Sequence, residues 1–242
     1  MIEFAGIRSD ERFLVVEHYP SRTFPKRKYT IQSVPGRSGD IVIEESEDAF
    51  SNYNQQYGVF IDAKAPGLPQ VARGLAEWLL GSPGYQRLED SYDPDFYRMA
   101  IYAGGEEFLN YFNEYGRGTL TFNCAPKRFY KIGEREISVS SGDKIYSPSS
   151  FRNHPIVIIT GNGNCTLTIH DKNGSTKNFT IKNVSGTVRI YSEEHKALNS
   201  SDVSVNANVQ SDYENLYMDS ESSIAWNSAV TSVSIIPRWW TI

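Results

Sequence analysis

Three Glu-Glu doublets stand out among the residues able to do chemistry: Glu44-Glu45, Glu106-Glu107 and Glu193-Glu194. A glycoside hydrolase needs two carboxyl groups at a set separation around the scissile bond. Neighbours along a strand point to opposite faces, so a doublet on a strand is poorly placed to supply that pair. These read as solvated edge charges. The histidines His18, His154, His170 and His195 are scattered, and Cys124 and Cys165 lie far apart, so no metal-ligand spacing is present. There is no Gly-x-Ser-x-Gly elbow for a nucleophilic serine. Gly161-Asn162-Gly163-Asn164 lacks the third glycine of a dinucleotide fingerprint and no helical pattern follows it. No catalytic, cofactor-binding or metal residue is assigned, and the chain is expected not to be an enzyme.

Gly104-Gly105-Glu106-Glu107-Phe108 resembles the signature of diguanylate cyclases. There, glycines let the backbone approach a nucleotide and an acidic residue helps to hold a metal. That enzyme needs an α/β domain with several helices, and this chain offers one helical pattern. Two glycines between aromatic strands read more simply as a hairpin turn.

The elements that would position any site are mostly strands. The only sustained helical stripe is Leu68, Val71, Ala72, Leu75, Ala76, Trp78 and Leu79, which predicts a helix over 68–80 laid on a sheet. Pro69 suits its first turn, and Gly81-Ser82-Pro83-Gly84 ends it. Before it, Phe13 and Val15 share one strand face with Val16 on the other, and 59–62 gives a further short strand. After it, strands are expected over 85–88, 97–102, 108–112 and 118–124, followed by Pro126. Cys124 shares a face with Leu120 and Phe122, and Cys165 with Leu167 and Ile169, so both read as buried free thiols.

A polar stretch with Ser138, Ser140, Ser141 and Gly142 marks a junction near 133–136. The expected domains are 1–134, a β-sandwich carrying the helix, and 135–242, a second β-sandwich. Strands are predicted there at 156–160, 165–171, 179–182, 187–191, 203–207, 224–226 and 232–237. Gly161-Asn162-Gly163-Asn164 and Asp171-Lys172-Asn173-Gly174 read as hairpin turns, since Asn and Gly accept positive φ. The fold class is mainly β. Tyr146, Tyr191, Tyr213, Tyr217, Trp226, Trp239 and Trp240 are candidates for a sugar-binding face, with core packing as the alternative for some of them.

With 242 residues, 39% hydrophobic, 22% charged and a net charge of −5, the chain is globular and carries no overall basic footprint for nucleic acid. No run of about 18 apolar residues is present to span a membrane. Met1-Ile2-Glu3-Phe4 has neither a basic n-region nor an apolar h-region, so synthesis in a cytoplasm is expected. Charge is uneven, however. Between His18 and Gly39 stand five basic residues, Arg22, Lys26, Arg27, Lys28 and Arg37, and no acidic one. Between Ser192 and Ser222 stand seven acidic residues against Lys196. Two readings stay open: solvated loops of opposite sign, or a basic hairpin that meets acidic surface on another copy or partner. The hairpin itself is well marked. Tyr29, Ile31 and Ser33 alternate with Thr30 and Gln32, Pro35-Gly36 and Gly39 turn the chain, and Ile41, Val42 and Ile43 return it.

Several of these pieces resemble, in order, the distal tail (Dit) proteins of long-tailed, siphovirus-type bacteriophages. They are the opening Phe4-Ala5-Gly6-Ile7-Arg8-Ser9-Asp10, the turn Val34-Pro35-Gly36-Arg37-Ser38-Gly39, the helix segment Leu75-Ala76-Glu77-Trp78-Leu79 and the strand Tyr85-Gln86-Arg87-Leu88. The run from Gly118 to Pro126 follows. In the second half come Asn153-His154-Pro155, Ile190-Tyr191-Ser192-Glu193, Trp226-Asn227 and Ile236-Pro237-Arg238-Trp239-Trp240, which resemble that family's galectin-like domain. Tyr191 stands where Asp is expected, and Ala225-Trp226 where a glycine is expected before Asn227. The resemblance implies a virion protein at the distal end of a tail, assembled in the host cytoplasm, with no cofactor. Its first domain is expected to form a homo-hexameric ring that joins the major tail-tube protein to the tail-associated lysin, fibre or baseplate protein. DNA would pass through the ring without specific binding, and no membrane insertion is implied. Arg22, Lys26, Arg27, Lys28 and Arg37 are then the candidate subunit-interface residues, on an arm reaching a neighbouring copy. The alternative function is a carbohydrate-binding, host-receptor module.

Overall fold

The computed structural model describes residues 1–17, 23–46, 48–62, 64–104 and 116–242. The chain is mainly β and divides into two compact units, Met1–Arg128 with Ile242, and Phe129–Thr241.

The first unit holds β1 (Ile2–Phe4), β2 (Ile7–Arg8), β3 (Leu14–Val16), β4 (Tyr29–Gln32), β5 (Ile41–Glu44), β6 (Tyr53–Ile61), helix α1 (Leu68–Leu80), β7 (Gln86–Asp90), β8 (Phe96–Tyr102) and most of β9 (Arg117–Tyr130). One sheet runs β2-β1-β7-β8-β9-β6-β3, and β4 and β5 form a separate ribbon. The sheet's inner face follows the period of two: Tyr53, Gln55, Tyr57 and Val59 on β6 point inward between exposed or half-buried neighbours. Helix α1 covers that face with Val71, Leu75, Trp78 and Leu79. Trp78 Nε1 donates to Phe4 O at 2.8 Å, so the helix is tied to the first strand by a buried hydrogen bond as well as by packing.

Phe122 is the centre of this core. Its ring meets Phe4 at 5.0 Å, Tyr102 at 5.7 Å and Tyr57 at 5.9 Å, all in tilted or edge-on geometry. Tyr57 carries a hydroxyl into the core and needs a partner there. Its Oη donates to Asp90 Oδ2 at 2.9 Å. Arg98 lies 3.7 Å from the same carboxylate and donates to Gln55 Oε1 at 3.2 Å. This closes the charge of Asp90 inside a network whose members are each buried.

The early strand begins one residue later than expected. Phe13 caps a short 3-10 turn over Ser9–Arg12 with φ 59° and is exposed, while Leu14 and Val16 point inward. Val15 and Val16 lie on opposite faces as expected, and the left-handed Phe13 stands just outside the strand. The expected strand 108–112 lies outside the described residues. The expected end at Pro126 is corrected as well: β9 runs on to Tyr130. Its pairing with β6 stops at Cys124, so Pro126 lies beyond that ladder, where its missing N–H does not interrupt it.

The second unit contains β10 (Ile137–Val139), β11 (Lys144–Tyr146), β12 (Ile156–Asp171), β13 (Thr176–Tyr191), β14 (Lys196–Asn199), β15 (Glu221–Trp226), β16 (Val230–Ile236) and β17 (Trp240–Thr241). β17 pairs with β9, with Tyr130 N–H donating to Trp239 O at 2.9 Å. β12 and β13 form one long antiparallel hairpin. The first half of β12 pairs on its other edge with β16, and the second half with β15. The sheet therefore curls at the middle of β12.

That middle is Gly161-Asn162-Gly163-Asn164. It is not the expected hairpin turn; it is a corner inside a continuous strand, with register shifts at Thr160/Gly161 and Gly163/Cys165. Gly163 has φ 91°, and across the corner β13 answers with Asn183 at φ 53° and Gly186 at φ 87°. The two strands expected at 179–182 and 187–191 are thus one. Gly161 is required by space: a Cβ there would meet Ala229 O at 2.4 Å. The turn at Asp171–Gly174 is a true hairpin end, with Gly174 N–H donating to Asp171 O at 2.9 Å. The expected strand 203–207 is instead an isolated bridge at Ser204 followed by a 3-10 turn, Asn206–Asn208. Asn206 Oδ1 accepts from Ala197 N–H there, a local side-chain bond that competes with strand pairing. Val157, Ile159, Cys165, Leu167, Ile169, Phe179, Ile181 and Ile190 fill the inside of the curl.

Both thiols are buried, one in each unit. Burial pushes Cys124 up to about 12 from its ordinary 9.0. The folded chain then holds a proton that the unfolded chain releases above about pH 9, so this contribution to stability falls as pH rises towards 12, by about 1.4 kcal/mol per pH unit. Urea unfolding at about pH 9 and about pH 10.5 should show the wild type losing more stability than Cys124→Ala. Phe122→Ala should cost about 3–5 kcal/mol in the same assay, for the lost ring contacts and the cavity left behind.

Candidate functional site: an exposed β arm

The residues that sequence reasoning assigned to an interface lie on the ribbon of β4 and β5. Lys28 N–H donates to Ala49 O at 2.8 Å and Ser51 N–H donates to Lys26 O at 2.8 Å, which carries the two-stranded pairing down to residue 51. Arg27 bridges Phe50 in this base and its guanidinium lies 4.8 Å over the Phe50 ring. At the tip, Arg37 N–H donates to Val34 O at 3.2 Å with Gly36 at φ 79°. That is a type II turn, with Pro35 presetting the second position and glycine supplying positive φ at the third.

The register is Tyr29 opposite Glu44, Thr30 opposite Ile43, Ile31 opposite Val42, and Gln32 opposite Ile41. One face therefore carries Tyr29, Ile31 and Val42, and the other Ile41 and Ile43. Ile31 is 56% exposed, Val42 57% and Ile43 49%. Phe24, just before the base, is also exposed. An isolated two-stranded hairpin is marginal in water. Each of these side chains gains about 1.5–3 kcal/mol when fully buried. Apolar residues on both faces of one ribbon have the composition of a strand buried on both sides.

Lys26, Arg27, Lys28 and Arg37 are all exposed on this arm, and Arg22 lies outside the described residues. The arm is less one-sided in charge than its outgoing strand suggested, because β5 returns Glu44 to within 3.7 Å of Arg27. Both partners are well exposed, so the pair contributes little. The acidic run sits in the second unit and is largely engaged there. Arg238 reaches Glu193 at 3.3 Å and Glu194 at 3.2 Å, Arg152 reaches Asp219 at 3.3 Å, and Lys144 reaches Glu221 at 2.8 Å. Sequence reasoning missed Ile31, Val42 and Ile43 as surface residues. The available signal was the unbroken Ile41-Val42-Ile43, which has no polar alternation.

The remaining candidates for chemistry are accounted for by packing. His154 stacks on Tyr217 at 4.0 Å, and His195 stacks on Tyr213 at 5.3 Å. His170 Nδ1 pairs with Thr176 Oγ1 at 3.0 Å. His18, the Glu106-Glu107 pair and Phe108 lie outside the described residues. Of the aromatic residues that could have formed a sugar face, Trp240 is buried against Phe151 with its Nε1 donating to Arg152 O at 2.9 Å. Tyr213 is buried, Trp226 packs on the core, and Tyr146 is exposed.

Across nearly its whole length the chain is similar in structure to the Dit protein (gp 19.1) of phage SPP1, described as a paradigm of hub adsorption apparatus in phages infecting Gram-positive bacteria. The TM-score is 0.73 at 11% identity, covering 97% of this chain and 96% of that one. The fold is that of a distal tail protein. A second neighbour is a chain of the phage P2 baseplate in its activated conformation with Ca, at TM-score 0.52 and 9% identity, covering 92% and 89% of the two chains. By sequence, no family model and no curated protein matches the chain. The chain thus shares the fold of these neighbours at 11% and 9% identity.

Because Ile31 and Val42 touch solvent rather than core, replacing both with threonine should change the stability of the isolated chain by less than about 0.5 kcal/mol. Urea unfolding of a dilute sample checks this. A larger loss would mean that the arm is packed in the free subunit.

Proposed function

We propose that the chain is a structural hub protein of a phage tail, without enzymatic activity, that resides at the distal end of the virion's tail and is assembled in the bacterial cytoplasm. The observation that carries this reading is the full-length likeness to SPP1 Dit, which spans both units rather than one common sandwich. A shared fold alone leaves function open, and the arm supplies the second support. A ribbon with apolar residues on both faces and a basic base suits a heterologous contact, in which one subunit's arm lies on a different surface of the next. Six copies closing into a ring would bury every arm and leave none free. The ring would sit between the major tail-tube protein and a tail-associated lysin, fibre or baseplate protein.

In this reading the apolar pairs of the arm supply the affinity, and Lys26, Arg27, Lys28 and Arg37 orient the encounter. Exposed charges act mostly on association rate and are screened by salt. Light scattering behind a sizing column should give six times the 27.3 kDa chain, and negative-stain images should show rings with an open centre. Ile31→Asp with Val42→Asp should abolish the rings while leaving folded monomer. Reversing Lys26, Arg27 and Lys28 together should slow assembly in low salt. Rings that form unchanged in both variants would remove the arm from the interface. A monomer at every concentration, alone and with tail-tube protein, would remove the hub reading.

A further inference from the structure

The chain contains two Asn-Gly pairs, Asn162-Gly163 and Asn173-Gly174, and the fold holds them differently. Glycine after asparagine leaves the following backbone nitrogen open to the side chain, because no Cβ shields it. Residues 172–175 are exposed and form the end of the β12–β13 hairpin, beyond its last register pair, His170 with Thr176. Gly174 has φ 79° and its N–H donates to Asp171 O at 2.9 Å. Among the described residues, the carboxamide of Asn173 has no hydrogen-bond partner. Asn162-Gly163, by contrast, is pinned on both edges. Asn162 pairs with Ser185 and Gly163 with Val184 on β13, and Asn162 N–H donates to Ala229 O at 2.9 Å on the other side. The Asn-Ser pairs are held by their side chains. Asn199 Oδ1 accepts from Ser201 N–H at 2.9 Å and Val203 N–H at 3.0 Å. Asn227 Oδ1 accepts from Thr166 N–H at 3.2 Å, and its Nδ2 donates to Asn164 O at 2.9 Å.

We infer that Asn173 is a modification site, where the folded chain deamidates spontaneously to aspartate and isoaspartate. The nucleophile and its target are neighbours along the chain, so the step is intramolecular. The Gly174 nitrogen attacks Cγ of Asn173 and a C–N bond forms. The Cγ–Nδ2 bond breaks, and Nδ2 leaves as ammonia with the proton that Gly174 gives up. Water then opens the five-membered imide at either carbonyl. One opening yields aspartate. The other yields isoaspartate, which routes the backbone through the former side chain and lengthens the turn by one carbon. Either product places a new carboxylate next to Lys172. To react, the turn has to release the bond between Gly174 and Asp171, a local opening of the kind exposed loop tips undergo. At Asn162 the pairing on both edges of β12 would have to open first. The inference is independent of the hub reading, because it concerns one turn of one subunit.

Peptide mapping by mass spectrometry tests it, after incubation of the full chain at mildly alkaline pH, both folded and unfolded in urea. In the folded chain the peptide holding Asn173 should gain the amide-to-acid mass shift and split into two isomers. The conversion should quicken as pH rises, since the attacking nitrogen must lose its proton. The peptide holding Asn162 should lag behind by about tenfold or more. In urea the two sites should convert at similar rates, which assigns the difference to the fold. Asn173→Gln, which could close only a six-membered imide, should remove the shift while circular dichroism stays unchanged. An Asn173 that stays intact in the folded chain would overturn the proposal, whatever happens in urea. So would equal conversion of Asn162 and Asn173 in the folded chain.

Discussion

The second unit depends on one close approach. At Gly161 the backbone of β12 passes so near the Ala229 carbonyl that no side chain can stand between them. That contact lets a single strand belong to two halves of a curled sheet, pairing with β16 before the corner and β15 after it. The inward faces of both halves then meet as one core. A straight β12 would hold its halves in one plane and leave half of that apolar face in water. The outer face carries the matching polar ladder, with Thr160 against Thr187 and Thr166 against Thr180, each at 3.0 Å. Curl, core and ladder therefore follow from the same local geometry.

The first unit is organised differently. It has a helix to cover its sheet, and so it needs no comparable corner. What it does need is a way to bury Asp90 and Arg98 on adjacent strands of that sheet, and Tyr57 and Gln55 provide it. Burying an ion pair seldom adds net stability, but it fixes which partner each group must have. Desolvation, with the nearby Asp90 carboxylate, raises the Tyr57 hydroxyl well above its ordinary value and keeps it a donor.

The helix was legible because its stripe obeys one period from end to end and its stops are chemical, a proline at the start and glycine after the end. The inward faces of β9 and the second half of β12 were legible from the period of two. The corner was not, because Asn and Gly satisfy positive φ in a bulge as readily as in a hairpin turn. Only the partners on the far edge of β12 distinguish the two, and they come from residues roughly 50 to 80 positions away. The arm was legible as a hairpin, yet its exposure was not. Ile41-Val42-Ile43 has the same composition whether a sheet covers it or solvent does, and register alone brought Glu44 back beside Arg27.

The arm also bears on how the free subunit lives. A ribbon with bare apolar faces and two open edges is a template for any extended segment it meets. Covering both faces, as the proposed ring would, removes that template, so the same apolar residues that would drive assembly are a hazard on a free subunit.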